Sequence, residues 1–588
     1  MVAVEGAHKT PAPTPAPFNW EVLFPDVGAD VGDLQEPRCF PGDFLFGSAT
    51  AAYQVEGGWN QLGRSPSIWD EFCRAKPGLQ CANVADDFLH RYKDDIELMV
   101  ETGLNSFRFS ISWSRAMTWD AKTKRMVPNP EGIAFYHALV DELRLRGIVP
   151  IVTLYHWDLP ADLHHELDPQ GWLNPAIVDH FVEYAELMFN EFGDTIDMWS
   201  TFNEPWTFTT QGYGNGQAAP GLRKSDTNTY TVAHNVLLSH AKAVQRFREL
   251  KSESVVHPDS RIGIVLNADY SYPLNSSDPV DIAAAERKME FGLGWFLKPI
   301  VSGEYPAIMR ERAGDRLPTF SSEEQALVKG SYDLFMLNHY SSKVVTDCTS
   351  PLSHVNCSKQ SLGWERDLGI DETRPPPGAR LSSLNDEGKH NCNWFTGYPQ
   401  GYMDTIKWMH QHNKKADILL TENGWCGNET IDNLDQLWYY QSYLGEVHKA
   451  ITKEKIPIIG YTAWSFIDNY EWGSFKPRFG LYYVNFTEMT GKKDADYEPR
   501  YDQLTRTARI AAKWYAQVAS HRCLDGRSRN ATQDLHDQEV KFSTLLSNLL
   551  ICAVFAPIVF AVVVSASAIR RRMNARSAES NEYTPLLG

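Results

Sequence analysis

The sequence predicts an α/β protein: a (β/α)8 TIM barrel followed by a single C-terminal transmembrane helix. Three observations carry that expectation. Between Phe44 and about Ser520, eight short apolar runs alternate with longer stretches of helical periodicity. Polar side chains gather where six of those runs stop, and a barrel of parallel strands does its chemistry at that end. A charge-free span from Leu545 to Ile569 stands apart near the carboxyl terminus.

Residues 1–38 are rich in Ala, Pro and Gly, with Pro alternating with small residues from Pro11 to Pro17, and lack periodicity. They read as a flexible leader. They hold no apolar core of the kind a signal peptide needs. The barrel domain spans 39–520. Its strands are expected at Phe44–Tyr53, Ser106–Trp113, Val149–His156, Asp197–Phe202, Ile262–Tyr270, Leu334–Tyr340, Ile418–Glu422 and Ile458–Phe466. Several of these runs are continuously apolar, as strands covered on both faces should be. Helices lie between them: Phe88, Tyr92, Ile96 and Met99 recur at helical spacing, as do Ile177, Phe181, Tyr184 and Met188. An open doubly wound sheet would not need eight such units.

The polar residues at the strand ends are Gln54 after the first run and Arg108 within the second. His156 ends the third, Asn203 and Glu204 the fourth, Asn338 and Tyr340 the sixth, and Glu422 the seventh. Polar groups at one strand end mean little; at six they describe a pocket. Gly212, Gly214 and Gly216 open no helix and read as a loop without a nucleotide role.

A polar stalk at 521–543 leads to the transmembrane helix, 544–569, and a tail, 570–588. A helix of about 25 residues at about 1.5 Å each crosses a bilayer with some tilt. Arg570, Arg571 and Arg572 follow it directly and place the tail in the cytoplasm. The tail holds Glu582 and ends near Leu586 and Leu587, an acidic dileucine pattern that a sorting adaptor would bind. The catalytic region is then luminal or extracellular, along a secretory, endosomal, vacuolar or cell-surface route. With no signal-peptide core in the leader, that placement requires a start other than Met1. Tail-first insertion would instead leave the barrel cytosolic.

The formal charge of −18 excludes nucleic acid as a partner, because that binding relies on Lys and Arg neutralising phosphates. It suits a neutral small-molecule substrate. Eighteen Trp residues supply core, and also flat faces on which sugar C–H groups stack. No zinc-like Cys/His spacing, phosphate-binding Gly-rich loop or repeat period is present, so neither metal nor cofactor is expected. Of nine cysteines, Cys552 falls in the apolar span. Among the other eight, two close pairs, Cys73 with Cys81 and Cys348 with Cys357, are expected to form disulfides. Five Asn-X-Ser/Thr sites, at Asn275, Asn356, Asn428, Asn485 and Asn530, agree with a glycosylated secretory protein.

Cleaving a glycosidic bond with retention takes two carboxyl groups, one protonated and one ionised, on either side of the anomeric carbon. Glu204, in Thr-Phe-Asn-Glu-Pro, and Glu422, in Leu-Thr-Glu-Asn-Gly-Trp, sit at separate strand ends, where different surroundings can drive their pKa values apart.

With those two segments, others fall in order: Phe-Leu-Phe-Gly-Ser-Ala-Thr-Ala-Ala-Tyr-Gln-Val-Glu-Gly from Phe44, Phe-Arg-Phe-Ser-Ile-Ser-Trp-Ser-Arg from Phe107, and His156-Trp-Asp-Leu-Pro. Leu337-Asn-His-Tyr, Trp464-Ser-Phe-Ile-Asp-Asn-Tyr-Glu-Trp and Arg478-Phe-Gly-Leu-Tyr complete the set. Over about residues 40–520 the chain resembles glycoside hydrolase family one, the β-glucosidase family. The resemblance implies a retaining, exo-acting β-glucosidase that releases terminal β-D-glucosyl residues through a covalent glycosyl-enzyme. Glu204 would be its acid/base and Glu422 its nucleophile. It also implies that Arg108 and Tyr340 orient Glu422, and that Asn203 binds the 2-hydroxyl. Gln54, His156 and Glu471 would take the other hydroxyls, with Asn338 also in the substrate shell. Trp464 would lie beneath the ring, Trp472 would donate its indole N–H, and Trp394 would contact the leaving group. Glu471 would repel a phosphate, so an unphosphorylated β-glucoside or oligosaccharide is the expected substrate. His339 occupies a commonly aromatic position. The competing readings are an inactive glycan- or receptor-binding scaffold, which would have lost a carboxylate, and a β-galactosidase or β-fucosidase specificity.

Overall fold

A computed structural model of the chain describes residues 38–486 and 503–525. Eight parallel strands form a closed barrel: β1 Leu45–Ala49, β2 Ser106–Ser110, β3 Val149–Tyr155, β4 Met198–Asn203, β5 Arg261–Asn267, β6 Phe335–Asn338, β7 Ile418–Glu422 and β8 Ile458–Trp464. Strand β1 closes the ring by pairing with β8 on one side and β2 on the other. The expected barrel is therefore present, and every expected run contributes a strand. Nearly all strand residues are buried, which explains why the runs read as continuously apolar.

Three expected runs extend three or more residues past their strands, and after β1 and β2 the chain stays buried once it has left the sheet. Ala52–Val55 and Trp113–Ala116 are helical turns beyond β1 and β2. The fifth run divides into β5 and a second strand, Tyr270–Pro273. That second strand joins Ser342–Asp347 and Ile370–Arg374 in a three-stranded sheet beside the barrel mouth, which the sequence did not signal. The Gly212–Gly216 region is not the expected loop: Thr209–Asn215 forms a wide helical turn with i→i+5 bonding.

Both periodic helices form. Phe88, Ile96 and Met99 are buried on the helix Phe88–Glu101, and Ile177, Phe181, Tyr184 and Met188 are buried on Ile177–Phe192. Phe181 stacks on Phe202 of β4 with ring centroids 4.4 Å apart. Inside the barrel, Ile151, Val265, Leu334, Met336 and Leu419 make an apolar plug. A strand's period of two then places Thr153, Asn267, Asn338 and Thr421, two residues farther along, above that plug. The interior turns polar at the carboxyl end.

All eight described cysteines are bridged: Cys73–Cys81 and Cys348–Cys357, as expected, and Cys39–Cys523 and Cys392–Cys426 across the fold. The leader, the greater part of the stalk, the expected transmembrane helix at 544–569 and the tail with Glu582–Leu587 lie outside the described residues. Among the described residues, no helix is long and apolar enough to cross a membrane.

Candidate active site

At the carboxyl ends of the strands opens a cavity of about 820 Å³. Its walls include Gln54, His156, Asn203, Glu204, Asn338, Tyr340, Trp394, Glu422, Trp464, Glu471 and Trp472. Arg108, fully buried, lies beneath it.

Irregular pairing at two strand ends aims the carboxylates. The β4–β5 register shifts between Ser200 and Asn203, and the β6–β7 register shifts between Leu420 and Glu422; such bulges re-aim side chains. Glu204 follows β4 in a left-handed conformation, φ 49° and ψ 62°, which a non-glycine residue adopts at a cost and which clusters at functional sites. Gly424 lets the exit of β7 press against β8, since a Cβ there would overlap the Trp464 carbonyl oxygen.

The two carboxylates meet opposite surroundings. Arg108 Nη1 donates to Glu422 Oε1 at 2.6 Å, and the Tyr340 hydroxyl donates to Glu422 Oε2 at 2.7 Å. A guanidinium and a phenol thus match both oxygens of Glu422. Glu204 receives no cation directly. Asn338 Nδ2 donates to its Oε1 at 2.8 Å and Thr207 Oγ1 to its Oε2 at 2.9 Å. Burial, and next the negative charge of Glu422, push the Glu204 carboxyl up to about 8; its two hydrogen bonds and Arg108 pull only part of the way back. At neutral pH Glu204 holds its proton.

The remaining polar atoms can be oriented by elimination. Arg108 Nη2 donates to Asn203 Oδ1 at 2.7 Å, and Asn338 Nδ2 donates to the same oxygen at 3.1 Å. A guanidinium cannot accept, so Asn203 presents its oxygen there and its Nδ2 to His156 Nε2, 3.0 Å away. His156 therefore accepts at Nε2 and carries its proton on Nδ1. Burial and Arg108 hold its pKa well below the usual histidine range, so the ring is neutral. Its Nδ1 is buried without a partner, and so is Gln54 Oε1, because Gln54 gives its amide to Asn469 and Tyr470. A donor and an acceptor without protein partners thus lie side by side with the other polar groups of the cavity wall. Burial pushes Glu471 well above the usual carboxylate range, against hydrogen bonds from the Trp464 indole, 3.3 Å away, and from Asn469.

The aromatic residues line up behind these groups. His156 stacks between Trp464 and Trp472, 6.0 Å from each. Trp472 also leans on Trp157 at 4.3 Å and Trp69 at 4.7 Å. Trp394 stands at the rim, 49% exposed, with its edge toward Tyr340 at 5.9 Å. His339 lies deeper: its ring stacks on Tyr402, and its Nδ1 faces the Ala268 carbonyl at 2.9 Å, so it fills an aromatic's place in the packing.

The structure shows three things about the site that the sequence did not. Both amide hydrogens of Asn338 are committed to Asn203 and Glu204. Thr207, one turn after Glu204, is that carboxyl's second donor, and is itself held by Asn267 Nδ2 at 3.0 Å; its spacing of three from Glu204 was the available signal. The Trp157 indole fixes the Asn203 carbonyl at 2.9 Å. Among the described residues, no group of three or more His, Cys, Asp or Glu side chains is placed to hold a metal ion.

Residues 36–523 match the sequence profile of Glycosyl hydrolase family 1. The chain is 38% identical over 499 residues to Beta-glucosidase 32 of Arabidopsis thaliana, a match covering 81% of this chain and 88% of that one. Its fold is similar to the crystal structure of the rice Os3BGlu6 β-glucosidase, with a TM-score of 0.72, 33% identity, and coverage of 81% of this chain and 98% of that one. A mutant of the same rice enzyme, described as a covalent complex with Glc, matches equally well, also with a TM-score of 0.72.

Proposed function

Because the chain belongs to glycosyl hydrolase family 1 and is a β-glucosidase, we propose that it works by retention, in two displacements, on terminal non-reducing β-D-glucosyl residues. One observation carries this reading. Two carboxyl groups face one cavity: burial holds the proton on Glu204, and Glu422 lies against the Arg108 guanidinium at 2.6 Å. In the first step Glu422 attacks the anomeric carbon while Glu204 gives its proton to the departing oxygen. Forming the ester removes the charge on Glu422, which is the second-largest cause of the raised Glu204 pKa. With that charge gone, Glu204, which has given up its proton, stays ionised and can take one from water in the second step. The covalent Glc complex of the rice relative supports such an intermediate.

Asn203, set by Arg108 and Asn338, offers its amide toward the 2-hydroxyl. His156 Nδ1, Gln54 Oε1 and Glu471 take the remaining hydroxyls, with Trp464 under the ring and Trp472 beside it. A carboxyl at Glu471 disfavours a 6-phosphate. Four disulfides fit an oxidising compartment. We further propose, on the sequence alone, that residues 544–569 anchor the enzyme in a membrane with its barrel luminal or extracellular and Glu582–Leu587 facing a sorting adaptor.

A 2-deoxy-2-fluoro-glucoside with an activated leaving group should stall the enzyme after the first step. Peptide mass spectrometry is expected to find the sugar on Glu422. A label on any other residue, or none on a protein that turns the parent glucoside over, would overturn the assignment.

A further inference from the structure

The turn that carries Glu471 and Trp472 needs support from outside the cavity. Trp472 stands in the left-handed region at φ 48°, and Gly473 follows at φ 129°. A non-glycine residue keeps such a backbone only where its surroundings over-determine it. Much of that support comes from residues 68–81, of which Trp69 alone lines the cavity.

Three hydrogen bonds converge on one residue of that segment, Gln80. Its N–H donates to the Gly473 carbonyl at 3.0 Å. Its carbonyl accepts from the Tyr470 hydroxyl at 2.7 Å, and its Oε1 accepts from the Phe475 N–H at 3.0 Å. Gln80 thus grips the chain on both sides of Glu471 and Trp472. Leu79 fills the space against Gly473, where a Cβ would come within 3.0 Å of its Cδ2.

Residues 76–81 belong to no helix or strand, and Pro77 and Gly78 are exposed. What ties this loop down next to Gln80 is the Cys73–Cys81 bridge, between residues eight apart in sequence. It fastens the loop to the helix Ile68–Ala75, and the same helix presents Trp69 to Trp472 at 4.7 Å. The bridged Cys73 sulfur has no hydrogen, so the Tyr53 hydroxyl is the donor across the 3.8 Å between them. Tyr53 in turn lies parallel to Trp472, with ring centroids 6.4 Å apart. The bridge, the helix and the aromatic stack therefore all bear on one turn of the cavity wall.

We propose that Gln80, held by the Cys73–Cys81 bridge, is a positioning residue for Glu471 and Trp472, so that a disulfide outside the cavity sets how well the glucosyl hydroxyl groups are recognised. The inference rests on the role given to Glu471 above, that of a hydroxyl-binding carboxyl on the side where a 6-phosphate would fall. A bridge that served stability alone would leave that recognition untouched.

The test compares 4-nitrophenyl β-D-glucoside with its 6-deoxy analogue, which lacks the hydroxyl on that side. Both are assayed on the full-length protein, on Gln80→Leu and on the double variant Cys73→Ser/Cys81→Ser. Using both substrates on one preparation cancels any loss of folded enzyme. Gln80→Leu removes the side-chain acceptor and keeps the bridge, so it decides the matter alone if the double variant fails to fold. Each folded variant is expected to lower the ratio of kcat/KM values, glucoside over 6-deoxyglucoside, by about fivefold, what one ordinary hydrogen bond contributes. An unchanged ratio in either folded variant would overturn the inference while leaving the proposed function standing. An unmodified protein that does not prefer the glucoside to its 6-deoxy analogue would instead overturn the hydroxyl-binding role of Glu471, and this inference with it.

Discussion

Replacing Glu204 with Gln should make the protein more stable, and more so as the pH rises. In the fold the Glu204 carboxyl titrates at about 8, against 4.5 for an ordinary glutamate. At about 1.36 kcal/mol per pH unit, the gap makes ionising this group in place about 5 kcal/mol harder than ionising it in the unfolded chain. A folded-state pKa raised in this way gives stability that is complete below about pH 4.5 and is lost as the pH climbs through about 8. Between pH 6 and pH 9 that loss comes to about 3 kcal/mol. Gln keeps the shape and an oxygen for Asn338 but cannot ionise, so the variant escapes the loss. Unfolding entropy of about 2.1 cal/mol/K per residue, over a barrel of about 500 residues, gives about 1 kcal/mol per degree. The melting temperature of Glu204→Gln minus that of the parent should therefore grow by about 3 °C from pH 6 to pH 9, as read by differential scanning fluorimetry at matched ionic strength. A difference that stays constant across this range would refute the claim that burial holds the proton on Glu204. The assay needs no substrate, so it tests the electrostatics apart from the chemistry.

Two further predictions follow from the same site. Above about pH 8, kcat/KM for cellobiose should fall tenfold per pH unit as Glu204 loses its proton. The same limb should weaken for 2,4-dinitrophenyl β-glucoside, which needs no acid to depart, and identical limbs would assign the titration to another group. Arg108→Met should destabilise the fold by about 3–5 kcal/mol by leaving Glu422 buried without its cation. Adding Glu422→Gln should recover much of that loss in a urea titration, and a double variant no more stable than Arg108→Met would show that Arg108 acts through packing instead.

The barrel and the residues at its mouth were legible because both follow from local pattern. A strand covered on both faces must be apolar throughout, and a pocket at the strand ends must interrupt that pattern, as at His156, Asn203 and Glu422. The ends of the strands were not legible, because Ala52–Val55 and Trp113–Ala116 stay buried after the pairing stops, and composition cannot tell a buried turn from a buried strand. Hydrogen-bond allegiance was also hidden. Asn338 sits at a strand end like the other residues that line the cavity, yet both its amide hydrogens are taken by Asn203 and Glu204. Least visible of all was a group of charged side chains in the cavity lining. Asp269, Lys343 and Glu372 are separated by up to about a hundred residues of sequence, and only the pairing of three short strands brings them together.

The bridge between Cys39 and Cys523 joins the first and last turns of the described barrel, 484 residues apart. Backbone bonds from Phe40 to Arg522 and from Leu524 to Arg38 flank it, before β1 begins and so at the end of the barrel remote from the carboxylates. Tension applied through chain attached at Arg38 and Asp525 would pass across one covalent link and bypass the strands. Whatever tethers or drags on the enzyme there, the mouth that admits substrate would be mechanically shielded from it.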